Sequence, residues 1–241
     1  MNKIISSVIA SLMLMSFVLS SCSQLSEGET KTSSSSSANF GKYSEFAASV
    51  KSGFEEKFGD EEEARSALLS ETSTKESEEN SDENVEYLDE DVSGAEYLLE
   101  NNYISETAAA YIKRIESAID SAGSKTGFNE EVSAIETEAM ENLSDSDLDS
   151  VMYYAEASKA SADYWTEDDG EARFSFRKFR KRIKKIMISS SLGTLVGGFL
   201  GGVATGHSPI GIAAGAIGGC ISSAKGAYDS GEICIIVKIN Y

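Results

Sequence analysis

Four carboxylates stand at a spacing that can hold a cation. Asp145, Asp147 and Asp149, with Glu156 eleven residues after the first, fall at positions 1, 3, 5 and 12 of a calcium-binding loop. Several hard oxygens would converge on one ion there. Position six of such a loop needs glycine for its sharp turn, and this chain has Ser150. The same residues also suit a helix start. Ser144 would cap it, the acids would complement the positive helix end, and Leu148, Val151 and Ala155 would share an apolar face. The helix is the main expectation and a calcium-responsive binding module the third functional reading. Gly123-Ser124-Lys125-Thr126 fails as a phosphate loop, because glycine must directly precede the lysine. The single histidine, His207, has no cysteine or acid at ligand spacing. No catalytic residue, cofactor or metal is therefore expected, and the chain reads as a non-enzyme.

One cysteine sits in a different context. After Met1-Asn2-Lys3, the 15 uncharged residues 4–18 are too few to span a bilayer, which takes about 20, and read as the apolar core of an export signal. They lead into Leu19-Ser20-Ser21-Cys22. These residues resemble the lipobox of bacterial lipoproteins. The resemblance implies cleavage before Cys22, a diacylglycerol thioether on its sulfur and acylation, as by palmitate, of the new amino terminus. Several acyl chains hold a protein stably at a membrane where one does not. The implied address is the cell envelope: cell membrane or outer membrane, lipid-anchored, periplasmic or surface-exposed.

Composition divides the rest. Residues 22–38 are polar and Ser-rich, and read as a flexible tether. Within 39–70, the residues Phe40, Tyr43, Phe46, Val50, Phe54 and Phe58 make one helical face, capped by Asn39 and stopped by Gly59. Residues 71–93 are strongly acidic and read as a solvated linker. Residues 94–172 hold three amphipathic patterns: Ala108, Ile112, Ile115 and Ile119 after Ser105; Phe128, Val132, Ile135, Ala139 and Leu143; then Leu148, Val151, Ala155, Ala162 and Trp165. The stretch from Gly94-Ala-Glu-Tyr-Leu-Leu to Ala162-Asp-Tyr-Trp resembles helical regions of envelope lipoproteins with Gly-rich tails, which implies no activity.

Charge then reverses. From Cys22 to Ala172 there are 38 acidic and 10 basic residues, whereas residues 173–185 carry eight basic residues and no acid. The formal net charge of -19 argues against a nucleic-acid partner. Arg177, Lys178, Arg180, Lys181, Arg182, Lys184 and Lys185, interleaved with phenylalanine and isoleucine, have the composition of a basic interfacial helix. The alternative is that this block docks on the protein's own acidic helices.

Residues 186–224 contain no charge and three glycine ladders at four-residue spacing: Gly193-Gly197-Gly201, Gly198-Gly202-Gly206 and Gly211-Gly215-Gly219. On a helix each ladder makes a groove that a second helix can approach closely. The segment resembles glycine zippers of membrane-associated bacterial proteins and of some bacteriocin-like peptides. His207 and Pro209 place a turn between arms 186–206 and 210–224. A soluble hairpin packed on the domain is the alternative to membrane contact. In the tail, 225–241, an exported protein with Cys220 and Cys234 left over invites a disulfide, worth about 3 kcal/mol if the two Cα atoms come within ~7 Å. Two buried thiols are the alternative.

The expected fold is mainly α: a small helical bundle after the tether, a Gly-rich helical hairpin and a short C-terminal strand. The expected function is a lipid-anchored envelope protein with a membrane-interacting glycine-zipper C-terminus. A membrane-active effector restrained by its acidic domain is the second reading. Expected partners are membrane lipids, through the Cys22 acyl chains and the C-terminal region, and a protein the residues do not identify.

Overall fold

The computed structural model describes residues 35–70, 85–89, 92–121, 124–166 and 176–236. Cys22, the tether up to residue 34 and most of the acidic linker lie outside them. Among the described residues are eight helices and two short strands, so the protein is mainly α-helical. The described residues from Ala38 onward form one compact unit.

Helix α1 (Ser35–Phe58) buries Tyr43, Phe46, Val50 and Phe54 and stops at Gly59, whose φ of +89° only glycine adopts readily. It starts earlier than Asn39. Helix α2 (Glu61–Ser70) opens with Asp60 Oδ1 accepting from the Glu62 N–H at 2.9 Å, and three acids in its first turn suit the positive helix end. Strand β1 (Val85–Leu88) lies inside the stretch expected to be solvated linker. It exists because it pairs antiparallel with the distant tail, Val85 opposite Ile236 and Leu88 opposite Ile233.

Helices α3 (Gly94–Glu100), α4 (Glu106–Ser121), α5 (Lys125–Asn142) and α6 (Asp145–Trp165) build the bundle. The three periodic apolar faces are buried except for Leu143 and Leu148, which are half-buried, and Ser105 caps α4 through the Ala108 N–H at 3.1 Å. Ser124 caps α5 through the Gly127 N–H at 3.0 Å. Helix α6 runs through the middle of the core. Val151, Tyr154, Ala155, Ser158 and Trp165 are all shut from solvent, and burying a large apolar side chain in this way contributes roughly 1.5–3 kcal/mol.

Helix α7 (Phe176–Ala204) crosses the boundary between the basic block and the charge-free segment without a break. Lysine and arginine are good helix formers, so that boundary is compositional and not structural. Helix α8 (Pro209–Ser230) extends past residue 224 and ends at Gly231, φ +73°. Strand β2 (Ile233–Ile236) follows, in the tail where a short strand was expected.

Candidate functional site: the glycine-lined hairpin

The α7–α8 hairpin is held together by two of the three glycine ladders. Gly193 faces Gly219, Gly197 faces Gly215 and Gly201 faces Gly211, an antiparallel register in which each step up one helix matches a step down the other. A Cβ on Gly197 would lie 2.9 Å from the Gly219 Cα and would overlap the Gly215 carbonyl oxygen. Only glycine permits this approach, which lets Cα–H groups touch facing carbonyls. Of the third ladder, Gly198 and Gly202 stand one residue round α7 and flank the seam against Ala216 and Ile212, while Gly206 lies in the turn beyond α7. A Cβ on Gly198 would rest 3.5 Å from that of Ala216, an ordinary contact.

At one end of the hairpin the basic side chains turn onto the protein itself. Arg182 Nη2 donates to the Tyr228 carbonyl at 2.7 Å, and Lys185 Nζ to the Gly231 carbonyl at 2.9 Å. These carbonyls lie at the C-terminal end of α8, where cations offset the helix dipole. The Arg182 guanidinium also lies 5.9 Å from the Tyr228 ring centroid, and Lys184 pairs with Asp120 of α4. Docking on the acidic helices, the alternative considered for this block, is seen for Lys184, whereas Arg182 and Lys185 dock on the end of α8 instead. Lys181 is exposed. The side chains of Arg177, Lys178 and Arg180 lie outside the described residues.

The opposite end is the hairpin turn. Gly206 and His207 take left-handed backbone (φ +66° and +63°), and the His207 N–H closes the turn on the Gly202 carbonyl at 2.6 Å. Around it Phe199, Val203 and Ile210 are 50%, 55% and 45% exposed. Phe199 rests edge-on against Tyr103, ring centroids 5.2 Å apart. Lys181–Ala204 and Pro209–Ser230 are long and apolar enough to cross a membrane. Their most apolar windows are 78% and 39% buried in the protein, so the first is largely a core helix while the second keeps an open flank.

The other sequence-derived sites resolve differently. The calcium-loop spacing is helical from Asp145 onward, so the loop geometry is absent. Asp149 Oδ1 instead accepts from Lys42 Nζ at 2.7 Å and from the Tyr43 hydroxyl at 2.5 Å, and Glu156 pairs with Lys159 at 2.8 Å. Burial, with the Asp149 contact second, raises the Tyr43 hydroxyl's pKa. Ser144 holds the cap position without a side-chain bond. Cys220 and Cys234 are buried free thiols, so the expected bridge is not formed. Cys234 Sγ lies 3.5 Å from the Ser223 carbonyl and packs against Gly226. Those positions lie three and six residues past Cys220, or about 4.5 and 9 Å of helix rise.

Two buried carboxylates went unnoticed in the sequence. Glu116 accepts from the Ser93 hydroxyl (2.7 Å), the Ala95 N–H (3.1 Å) and the Tyr154 hydroxyl (2.9 Å), tying α3, α4 and α6 together. Burial raises its pKa against those bonds. Glu136 pairs with Lys159 at 2.8 Å. Each sits within an apolar helical face, Glu116 four residues after Ile112 and Glu136 four after Val132. That placement was the available signal. Both are structural ties between helices.

No family model, curated protein or solved structure matches this chain.

Proposed function

We propose that this protein is a non-enzymatic, lipid-anchored component of the cell envelope whose glycine-zipper hairpin contacts the membrane. The observation that carries the hairpin half is the charge-free turn, with Phe199, Val203 and Ile210 about half exposed around it. A soluble protein gains nothing from displaying such a cluster, whereas bilayer contact buries it. The anchor half rests on Leu19-Ser20-Ser21-Cys22 and its resemblance to a lipobox. Lipid contact is drawn from the turn and not from Arg182, Lys184 and Lys185, which are engaged within the chain.

Two measurements on the full chain test this reading. In a bacterial host, radiolabelled palmitate should enter the protein and be lost with Cys22→Ser. Purified protein carrying an environment-sensitive dye at Val203→Cys should brighten on adding phosphatidylcholine vesicles. Absence of palmitate would remove the anchor, and an unchanged dye would remove the membrane contact.

A further inference from the structure

The helix contacts show which end of the bundle the start of α1 shares. Helix α1 runs parallel to α8: Gly53 packs on Ile221, and further along the Phe58 and Tyr228 rings lie 5.4 Å apart. It also runs parallel to α6. Tyr43 meets Asp149, and the Phe46 ring lies 5.0 Å from that of Tyr153, Phe54 5.4 Å from Tyr164 and Phe58 4.9 Å from Trp165. Both series rise together in residue number, so the beginning of α1 lies at the same end of the bundle as the turn.

Heights agree. From the Gly53–Ile221 contact, Ala38 is fifteen residues back along α1, about 22 Å, and Pro209 is twelve back along α8, about 18 Å. The chain therefore enters the compact unit within a few ångströms of the height of the apolar turn. The far end carries Phe58, Trp165, Arg182 and Gly231. Twelve residues, 23–34, separate Cys22 from α1, a covalent reach of at most about 40 Å.

We infer that the hairpin turn inserts in cis, into the leaflet that holds the Cys22 acyl chains, and does not bridge to a second membrane. The inference rests on the lipid-anchored reading above. Anchoring one end of the bundle presents Phe199, Val203 and Ile210 to that same surface at high effective concentration, so even a weak apolar contact stays occupied. The first turn of α6, with Asp145 and Asp147, stands at this end too. Acidic headgroups are therefore not what attracts the turn; the occupant is the acyl region of a neutral surface.

The test uses the lipidated full chain with a nitrobenzoxadiazole dye on Val203→Cys, anchored in phosphatidylcholine vesicles. Cys220 and Cys234 are buried and escape labelling in the folded protein. Brominated acyl chains are placed either in the protein-bearing vesicles or only in a second, protein-free population. The expected result is several-fold quenching in the first arrangement, none in the second, and no vesicle clustering. A dye on Glu232→Cys, at the far end, should stay unquenched in both. Ile210→Asp should abolish most of the quenching at position 203 while leaving the far-UV circular dichroism unchanged. Quenching only by the second population, with clustering, would overturn the cis assignment and leave membrane contact standing. Quenching in neither arrangement would overturn both.

Discussion

Gly197 and Gly215 face each other across the α7–α8 seam so closely that a methyl group on either would overlap the other's carbonyl oxygen. Backbone sits on both sides, so neither can yield by rotating a side chain. Gly197→Ala should therefore destabilise the protein by about 1–3 kcal/mol, even though alanine is the better helix former by about 1 kcal/mol. Gly198→Ala, one residue round the helix with an ordinary 3.5 Å contact, should be neutral or stabilise by up to about 1 kcal/mol. Denaturant midpoints separate the two, and equal effects would mean the seam is not where the ladders place it.

Two serines at helix starts make a second comparison. Ser124 accepts from the Gly127 N–H, whereas Ser144 has the cap backbone but no side-chain bond. Ser124→Ala should cost about 1 kcal/mol and Ser144→Ala less than about 0.5 kcal/mol. A larger loss at Ser144, read by the same denaturation curves, would contradict the cap assignment.

Local pattern was a good guide where one face decides an element. The apolar faces of α4, α5 and α6 repeat every three or four residues and end at serine caps or turns, and each became a buried helix. It was a poor guide where a distant partner decides. Val85-Glu86-Tyr87-Leu88 is strand only because Ile233–Ile236 lies beside it, and no local signal outweighs the surrounding acids. The hairpin shows both cases. Glycine spacing revealed that helices approach closely, but two ladders on adjacent faces of α7 look alike until packing selects Gly193-Gly197-Gly201. Likewise the spacing of Cys220 and Cys234 carried no information about which turn of α8 the tail would meet.

Acid should favour the fold through Glu136. Burial raises its pKa despite Lys159, and Glu156 adds like-charge repulsion. One of its oxygens, Oε1, is shut from solvent without a hydrogen-bond partner. Because the folded value is raised, the folded chain binds this proton more tightly than the unfolded one. That contribution is complete below the ordinary carboxylate value and is lost as pH rises through the raised one. From about pH 7.5 down to about pH 5, the wild type should gain stability relative to Glu136→Gln, by at most about 1.4 kcal/mol per pH unit. Parallel stability curves for the two proteins across that range would rule this out.

Burial pushes both the Cys220 and the Cys234 thiol up to about 12. Thiolate is the reactive form, so neither should react with a thiol reagent in the native protein near pH 8. In denaturant without reductant, two thiols per chain should react in addition to any contribution from an unlipidated Cys22. Finding neither would restore the disulfide.

The basic end of the hairpin provides the last prediction, because two roles for it give opposite results. As a membrane-binding patch, Arg182 and Lys185 would contribute to lipid contact and little to the fold. As seen here, they donate to the Tyr228 and Gly231 carbonyls, at the end of α8 where backbone acceptors lack helical partners. Hydrogen bonds from a charged donor contribute about 1.5–3 kcal/mol when enclosed, and both side chains are half-buried, so each substitution to alanine should cost about 1–2 kcal/mol. Twenty-one residues separate Arg182 from Val203, about 31 Å along α7, too far for their loss to be felt at the turn while the helix stays folded. Arg182→Ala and Lys185→Ala should therefore lower the denaturation midpoint and leave quenching of a dye at position 203 unchanged. Unchanged stability with diminished quenching would return these residues to the membrane surface.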